Sequence, residues 1–475
     1  GFRLGSGIAS ATGKAEIGLQ NVPFVLDSTA KEIFSRENKV LGQLEKDATL
    51  RPGPGKTVLG FGPVSIGMGR PTPVVALGWA GRPGYGLNVS GEAEVSHALG
   101  LARLLGLPVL KTAAEGTAQM NLQIAGDWME WTSGGPVGFS APRITGTAQL
   151  RNVRVEMRGV SRPIEILSAE MKFSPDQVRV EKLTATGGGT HWTGSLALPR
   201  GCGVPGACMV SFNLNGDEID LGEVRQWLGA KPNQRPWYQV LDTAAPAAPA
   251  FFEDLRASGK ISAVRLRIRD TVAGSVSASL DLERSKLKIS DLRADVLGGK
   301  HRGDWRGDFT VSPPVFTGNG TFAAISLAQV AKTMHDHWID GVVSGTYQVS
   351  ASGSSAPGFW QSADGTIEAD MRDGLLPHVA LANDSGPLQV ERFEGQARLH
   401  DGKIEIKEAR LSSSGGVFRV SGSASLSREL DLKLARSPFM TPLNGASGGY
   451  TVTGTLAQPR VLQVPGTETQ AQLKR

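Results

Sequence analysis

Cysteine is nearly absent from this chain: two residues in 475, Cys202 and Cys208, lying together in "RGCGVPGACM". Their separation is wider than the C-x2–4-C pairs of zinc sites, so a metal site ranks last. The reading that suits a small Gly/Pro loop is a disulfide, which implies an oxidising compartment; two free thiols are the alternative. No run of 18 apolar residues occurs, so no segment is expected to cross a bilayer as a helix, and no signal-peptide pattern is present. The chain starts at Gly1, which reads as a processed or excised piece, with any upstream anchor out of view. Charge of one sign is missing too, with 50 Lys+Arg against 45 Asp+Glu and no basic block. That excludes the footprint of a nucleic-acid binder and leaves only weak contact with anionic headgroups open.

Chemistry-bearing motifs are equally scarce. "GPGKT", residues 53–57, has Leu50 where a phosphate-binding loop needs glycine, and "VLGFGPVSIG" after it cannot form the required helix. "TGK" at 12–14 fails on the same grounds. "GRPGYG" and "GFGPVSIG" read as turns and bends, with no dinucleotide-binding unit around them. No serine sits in a G-x-S-x-G elbow, and neither cysteine has a base nearby in sequence. His335, Asp336 and His337 in "MHDHW" are poorly spaced for a metal and read as surface residues. Acidic residues are dispersed over polar strand positions, a pattern that neither locates nor excludes a glycosidase carboxylate pair. The expectation is a protein without catalytic residues, metal or cofactor.

What the chain does have is glycine, 61 residues of it, together with alternating apolar and polar positions. Three segments align without a gap: "MKFSPDQVRVEKL" from Met171, "LDLERSKLKISDL" from Leu280 and "ARLHDGKIEIKEA" from Ala397, at offsets of 109 and 117 residues. In each, two apolar positions at spacing two precede four turn-forming residues and two more apolar positions at spacing two. This predicts a β-hairpin with a four-residue loop. Phe173 then faces Val178 and Met171 faces Val180; Leu282 faces Leu287 and Leu280 faces Ile289; Leu399 faces Ile404 and Ala397 faces Ile406. All of them share one greasy face, while Lys172, Arg179, Asp281, Lys288, Arg398 and Glu405 fall on a wet one. A period of 3.6 would scatter these residues around a helix axis.

Gly189, Gly298 and Gly415 each lie nine residues beyond the last apolar position of their copy. They predict either a bulge that bends the sheet at a constant place or a plain turn. Short helices punctuate the strands. "DLGEVRQWLG" starts at Asp220 with Glu223 at capping-box spacing, and "SLAQVAKTM" repeats this with Ser326 and Gln329. Their apolar positions, Leu221, Val224 and Leu228 or Leu327, Val330 and Met334, fall on one face. "HALGLARLLG" from His97 is a less regular copy, and a further helix is expected within 28–48. These helices read as lids or plugs on the greasy face, or as simple edge covers. Four units of about 110 residues follow, at 1–106, 107–229, 230–338 and 339–475. Residues 243–252 read as a flexible Ala/Pro loop and 464–475 as a frayed polar tail.

The alternating hairpins, Gly-Gly returns and interposed capped helices resemble the periplasmic portion of the AsmA-like family, which includes proteins of the TamB and YhdP type. "ADGTIEADMRDGLL" at 363–376 and the closing "YTVTGTLAQPRV", with Gly454, Thr455, Leu456 and Pro459, are similar to strands of its C-terminal domain. The resemblance covers about residues 90–462, and its motifs are degenerate. It implies a mainly β fold: an elongated, curved antiparallel sheet forming a taco-like hydrophobic groove with a few short helices. It further implies phospholipid transfer between inner and outer membranes, or outer-membrane homeostasis, by a periplasmic protein. Partners would be acyl chains, one or both membranes and membrane proteins at the groove ends, and the protein would be anchored to the inner membrane by an N-terminal helix that is not part of this chain.

The residues agree with that picture on one point. A curved sheet with one greasy face and few large aromatics (16 Phe, 9 Trp, 4 Tyr) suits an open apolar trough. The expected lining is Met171, Phe173, Val178, Val180, Leu280, Leu282, Leu287, Ile289, Leu399, Ile404 and Ile406. An acyl chain there would be held by non-directional burial at about 0.8 kcal/mol per methylene, with no preferred register along the groove. Two other classes compete: a structural or adhesive β-solenoid with a dry core, and a carbohydrate-active β-helix enzyme with carboxylates clustered on one face. A membrane β-barrel is disfavoured, because aromatic girdles and a closing barrel strand are missing.

Overall fold

The structure, a computed structural model, describes residues 2–5, 10–15, 58–81, 84–104, 113–127, 131–132, 135–136, 142–157, 160–199, 209–227, 256–381, 386–425, 429–436 and 448–464. The helix expected within 28–48, "GPGKT", Cys202 and Cys208, Leu228, the Ala/Pro loop and the tail beyond Val464 lie outside these residues. The chain is mainly β and divides into two compact units, Gly1–Asn215 with Trp227–Ala230 and Gly216–Gln226 with Lys231–Arg475.

The first unit contains β1 (Phe2–Gly5), β2 (Ser10–Ala15), β3 (Val58–Gly67), β4 (Val74–Gly81), β5 (Gly84–Glu94), β6 (Ala113–Asp127), β7 (Trp131–Thr132), β8 (Gly135–Pro136), β9 (Arg143–Glu156), β10 (Ile164–Phe173), β11 (Gln177–Gly187) and β12 (Thr190–Pro199). β13 (Met209–Asp220) follows. Neighbours in sequence are neighbours in the sheet, all antiparallel, from β1 to β6 and from β9 to β12, with β6 paired to β9. β7 and β8 form a separate two-stranded ribbon.

The second unit contains β14 (Arg256–Ile268), β15 (Thr271–Glu283), β16 (Lys286–Val296), β17 (Gly299–Asp308), β18 (Val315–Ser326), β19 (Asp340–Ser352), β20 (Asp364–Leu376), β21 (Leu388–His400), β22 (Lys403–Ser413), β23 (Gly416–Ser425), β24 (Glu429–Arg436), β25 (Gly449–Thr455) and β26 (Pro459–Val464). Each pairs antiparallel with the next, so the unit is an open meander. Among the described residues, four short helices interrupt the strands of the two units: α1 (Val95–Leu104), α2 (Leu221–Trp227), α3 (Leu327–Thr333) and α4 (Ala356–Gln361).

All three predicted hairpins form, in the predicted registers. Met171 opposes Val180 and Phe173 opposes Val178. Leu280 opposes Ile289 and Leu282 opposes Leu287. Ala397 opposes Ile406 and Leu399 opposes Ile404. The four-residue loop is corrected in two copies. There the outer residues pair, Glu283 with Lys286 and His400 with Lys403, leaving two-residue turns. Both central residues of each turn have positive φ: 44° and 65° at Arg284–Ser285, 47° and 68° at Asp401–Gly402. Such turns match the right-handed twist of the strands. The first copy carries Pro175, whose ring forbids positive φ, and Ser174 instead brackets the turn to the Gln177 carbonyl.

The glycines at the matching positions close hairpins. Gly188–Gly189, Leu297–Gly298 and Ser414–Gly415 are the turn residues. The bend lies earlier, at register shifts between Val180 and Leu183, Ile289 and Leu292, and Ile406 and Ala409, which keep the offsets of 109 and 117 residues. The extra residue is Lys182 (φ 48°) in the first copy and Asp291 (φ 51°) in the second. An added residue on one strand at each hairpin sharpens twist and bends the sheet, so a recurring bulge gives recurring curvature.

The glycine turns also make room. A Cβ on Gly188 would stand 3.2 Å from the Trp227 ring, and one on Gly298 3.0 Å from the Gln329 amide of α3. The Ser326 amide donates to the Leu297 carbonyl. Within the second unit, α3 thus sits on the tip of the hairpin that Leu297 and Gly298 close, and within the first unit the Trp227 ring sits on the Gly188–Gly189 turn. α2 is capped by Asp220, whose Oδ1 accepts from the Gly222 and Glu223 amides at 2.7 and 3.2 Å. Ser326 caps α3 by accepting from the Gln329 amide. α4 is absent from the sequence reading because "APGFWQ" holds Pro and Gly, yet Pro in the first turn costs no hydrogen bond and Ser355 caps it. No helix among the described residues is long and apolar enough to cross a membrane.

Candidate functional site

The greasy face predicted from the repeats exists, and it is neither a sealed core nor bare surface. Of its eleven lining residues, Val180, Leu282 and Leu399 are buried. Met171, Phe173, Val178, Leu280, Leu287, Ile289, Ile404 and Ile406 are half-buried. The alternate positions, such as Lys172, Arg179, Lys288, Arg398 and Glu405, are exposed. Period-two alternation therefore sorts apolar side chains to one side of the sheet in these three hairpins.

Parts of that face are filled by the protein itself. In the first unit, Met171 and Phe173 pack toward Met68, Val74, Ala93, Met120 and Val153, and α1 adds Val95, Leu99 and Leu101. In the second, Phe359 of α4 covers Ala351, Ala363 and Leu399. Leu381, in the connection after β20, joins Val390, Leu411, Phe418, Val420 and Tyr450 in a tight cluster that takes in Ile406. The plug role read for the helices fits α1 and, through Leu327, α3, and α4, which was not expected, fills the face in the same way. α2 buries none of its residues, so its predicted apolar face is not the docking surface.

Elsewhere in the second unit the face carries rings laid on glycine. Registers place Ile289, Trp305, Gly318 and Val349 in one cross-strand row, and Leu292, Gly303, Gly320, Tyr347 and Ile367 in the next. A Cβ on Gly318 would lie 2.5 Å from the Trp305 ring, and one on Gly320 3.0 Å from the Tyr347 ring. His301 Nε2 is 2.7 Å from the Tyr347 hydroxyl, which also accepts from Trp305 Nε1 at 3.1 Å. Burial holds the imidazole below its ordinary pKa. Burial also pushes the Tyr347 phenol up, and the Asp304 charge adds to this against the Trp305 hydrogen bond. The sequence reading missed this cluster, although the alternation of "KHRGDWRGD" with "FTGNGTF" places His301, Trp305 and Phe322 on the greasy side.

The wet face carries ion pairs and a concavity. Asp370 is flanked by Arg392 and Arg372, Glu218 by Arg265 and Arg267, and Asp364 by His400 and Arg398. A cavity of about 1150 Å³ runs across β16 to β22. Its lining includes the polar positions Lys288, Arg306, Thr317, Ser350, Asp364 and Arg398, with Ile289, Trp305 and Val349 between such positions along the strands. By register the polar members belong to the wet face, and Ile289 and Trp305, which also line the cavity, to the apolar one. Glu181, Asp291, Asp308, Asp364 and Asp370 are all held below the usual carboxylate range, chiefly by hydrogen bonds from Lys172, Arg293, Thr310, His400 and Arg392 respectively. A carboxyl held low stays ionised at neutral pH, the opposite of what a general acid requires.

His335 and His337 are exposed, and Asp336 faces His378 at 3.9 Å instead. No group of His, Cys, Asp and Glu among the described residues has the makings of a metal site. The disulfide expectation cannot be placed, since Cys202 and Cys208 are outside them. No protein-family model matches the chain, and neither curated proteins nor solved structures yield a match.

Proposed function

We propose that this protein is a non-enzymatic carrier of phospholipid acyl chains, held on the apolar sheet face and moved along it. In this reading it works in the periplasm in the manner of the AsmA-like family, between inner and outer membranes. The observation that carries the reading is the half-burial of the repeated lining: eight of its eleven positions, Met171, Phe173, Ile404 and Ile406 among them although they pack against the clusters above, keep part of their surface uncovered. Soluble proteins seldom leave large contiguous apolar surface open without a partner for it. Covering that surface with methylenes stabilises the complex by about 0.8 kcal/mol per group, and the interaction has no register, so a bound chain slides. The exposed ion-paired face keeps the other side in water.

The test is mass spectrometry of lipid co-purified with the protein, compared with Leu287→Asp/Ile289→Asp. Both positions are half-buried, so the variant should fold and lose most of its lipid. Lipid content equal to the native protein's, or no lipid on the native protein at all, sinks the reading. A second reading rests on the wet-face cavity: a polar polymer such as a glycan lying along β16 to β22. It predicts binding that survives Leu287→Asp/Ile289→Asp and is lost in Arg306→Glu.

A further inference from the structure

We propose that His301, Trp305 and Tyr347 form a hydrogen-bond donor site on the apolar face, which takes the carbonyl oxygen of an acyl group. The proposal rests on the lipid reading above and adds a point of recognition to it. Neutral His, Trp and Tyr side chains together carry three polar hydrogens: one on the imidazole, one on the indole and one on the phenol. The structure makes two hydrogen bonds among them, both at the Tyr347 oxygen. Trp305 Nε1 can only donate, so Tyr347 accepts there. If Tyr347 donates to His301 Nε2, the hydrogen on His301 Nδ1 is left over. If His301 Nε2 donates to Tyr347 instead, the phenol hydrogen is left over. Either tautomer leaves one donor unmatched.

That donor sits among apolar neighbours. Across the strands His301 faces Ala294 and Phe322, Trp305 faces Ile289, and Tyr347 faces Ile367. All three polar side chains are half-buried. Gly303, Gly318 and Gly320 keep the floor beneath the rings flat, so the cluster meets whatever lies on the face. A hydrocarbon alone would cover the donor without satisfying it, at a cost in free energy. A hydrocarbon that carries an oxygen acceptor, the chemistry of an acyl chain at its carbonyl, satisfies it. On this face the ring cluster is thus a place where a sliding chain pauses in register.

The carbonyl can come from a phospholipid ester or from an unesterified fatty acid, and the experiment separates them. Binding is measured for a diester phospholipid, its diether analogue with the same chains, and oleate. The expectation is that native protein binds the diester about five- to tenfold more tightly than the diether, the worth of one net hydrogen bond. His301→Phe/Trp305→Phe/Tyr347→Phe should bring the two phospholipids level at the diether value. Tight oleate binding that falls in the same variant, without a diester preference, assigns the site to free fatty acid. Equal diester and diether binding by native protein, with oleate unaffected by the variant, overturns the donor site and leaves the lipid reading standing. No binding of any of the three overturns both. The native comparison does not depend on the variant folding.

Discussion

Trp227 is fixed to the Gly188 hairpin of the first unit through contacts that a substitution can take apart. Its ring lies over Gly187 and Gly188, its Nε1 donates to the Arg162 carbonyl at 2.9 Å, and its own carbonyl accepts from the Ser161 amide at 2.8 Å. Trp227→Ala should cost about 2–3 kcal/mol, below the range for fully buried tryptophan because the ring is half-buried. Leu221→Ala, at 44% exposure, should cost under about 0.5 kcal/mol. Urea denaturation of both variants checks the contrast. The spacing of Leu221, Val224 and Leu228 points to a helix but not to its anchor, because a single tryptophan leaves no periodicity. His301 supplies a pH dependence of known sign. Its folded pKa is depressed from 6.5 by burial, so the unfolded chain takes up its proton first. Stability from this group is complete above about pH 6.5 and is lost as pH falls through the folded value. Melting temperature should drop over that interval in native protein, and less in His301→Phe.

At the scale of elements, the turns are where substitution is most informative. Ser285 stands at φ 65° in a two-residue turn that suits glycine. Ser285→Gly should stabilise by about 0.5–1 kcal/mol, read as a rise in denaturation midpoint. Gly188 is the reverse case. At φ 61°, with a Cβ position 3.2 Å from the Trp227 ring, Gly188→Ala combines strain with a clash and should cost about 2 kcal/mol. The hairpins were legible because a spacing of two admits one pairing that keeps Leu280, Leu282, Leu287 and Ile289 on one side. The bulge was not legible. Lys182 and Asp291 are ordinary polar residues, and an extra residue in a strand changes the register without any sequence marker as plain as glycine.

For the whole molecule, the apolar clusters are separate, so their energetics should be too. Val153 belongs to the cluster around Met68 and Val74, and Leu411 to that around Phe418 and Tyr450. The destabilisation in Val153→Ala/Leu411→Ala should equal the sum of the single values within about 0.5 kcal/mol, as in arrays whose members touch only their neighbours. Coupling well beyond that in denaturant melts would mean a shared core. Openness at this scale is what the lipid reading needs and what a dry-core solenoid denies. The half-burial of Leu287 and Ile289 favours the first. The burial of Leu399 under Phe359 shows that the face is not open everywhere.

Alternation along the chain was enough to determine that the protein is built of antiparallel hairpins with one apolar face, and which residues line it. Side-chain direction follows from position alone between bulges, so within each hairpin the sequence was enough, and past Lys182 and Asp291 it was not. Tertiary structure decided how much of that face stays uncovered, since this depends on where α1, α4 and the connection bearing Leu381 come to rest. It also decided that His301, Trp305 and Tyr347 meet. They lie on strands separated by a third, and only the register of β17, β18 and β19 sets one phenol between an imidazole and an indole.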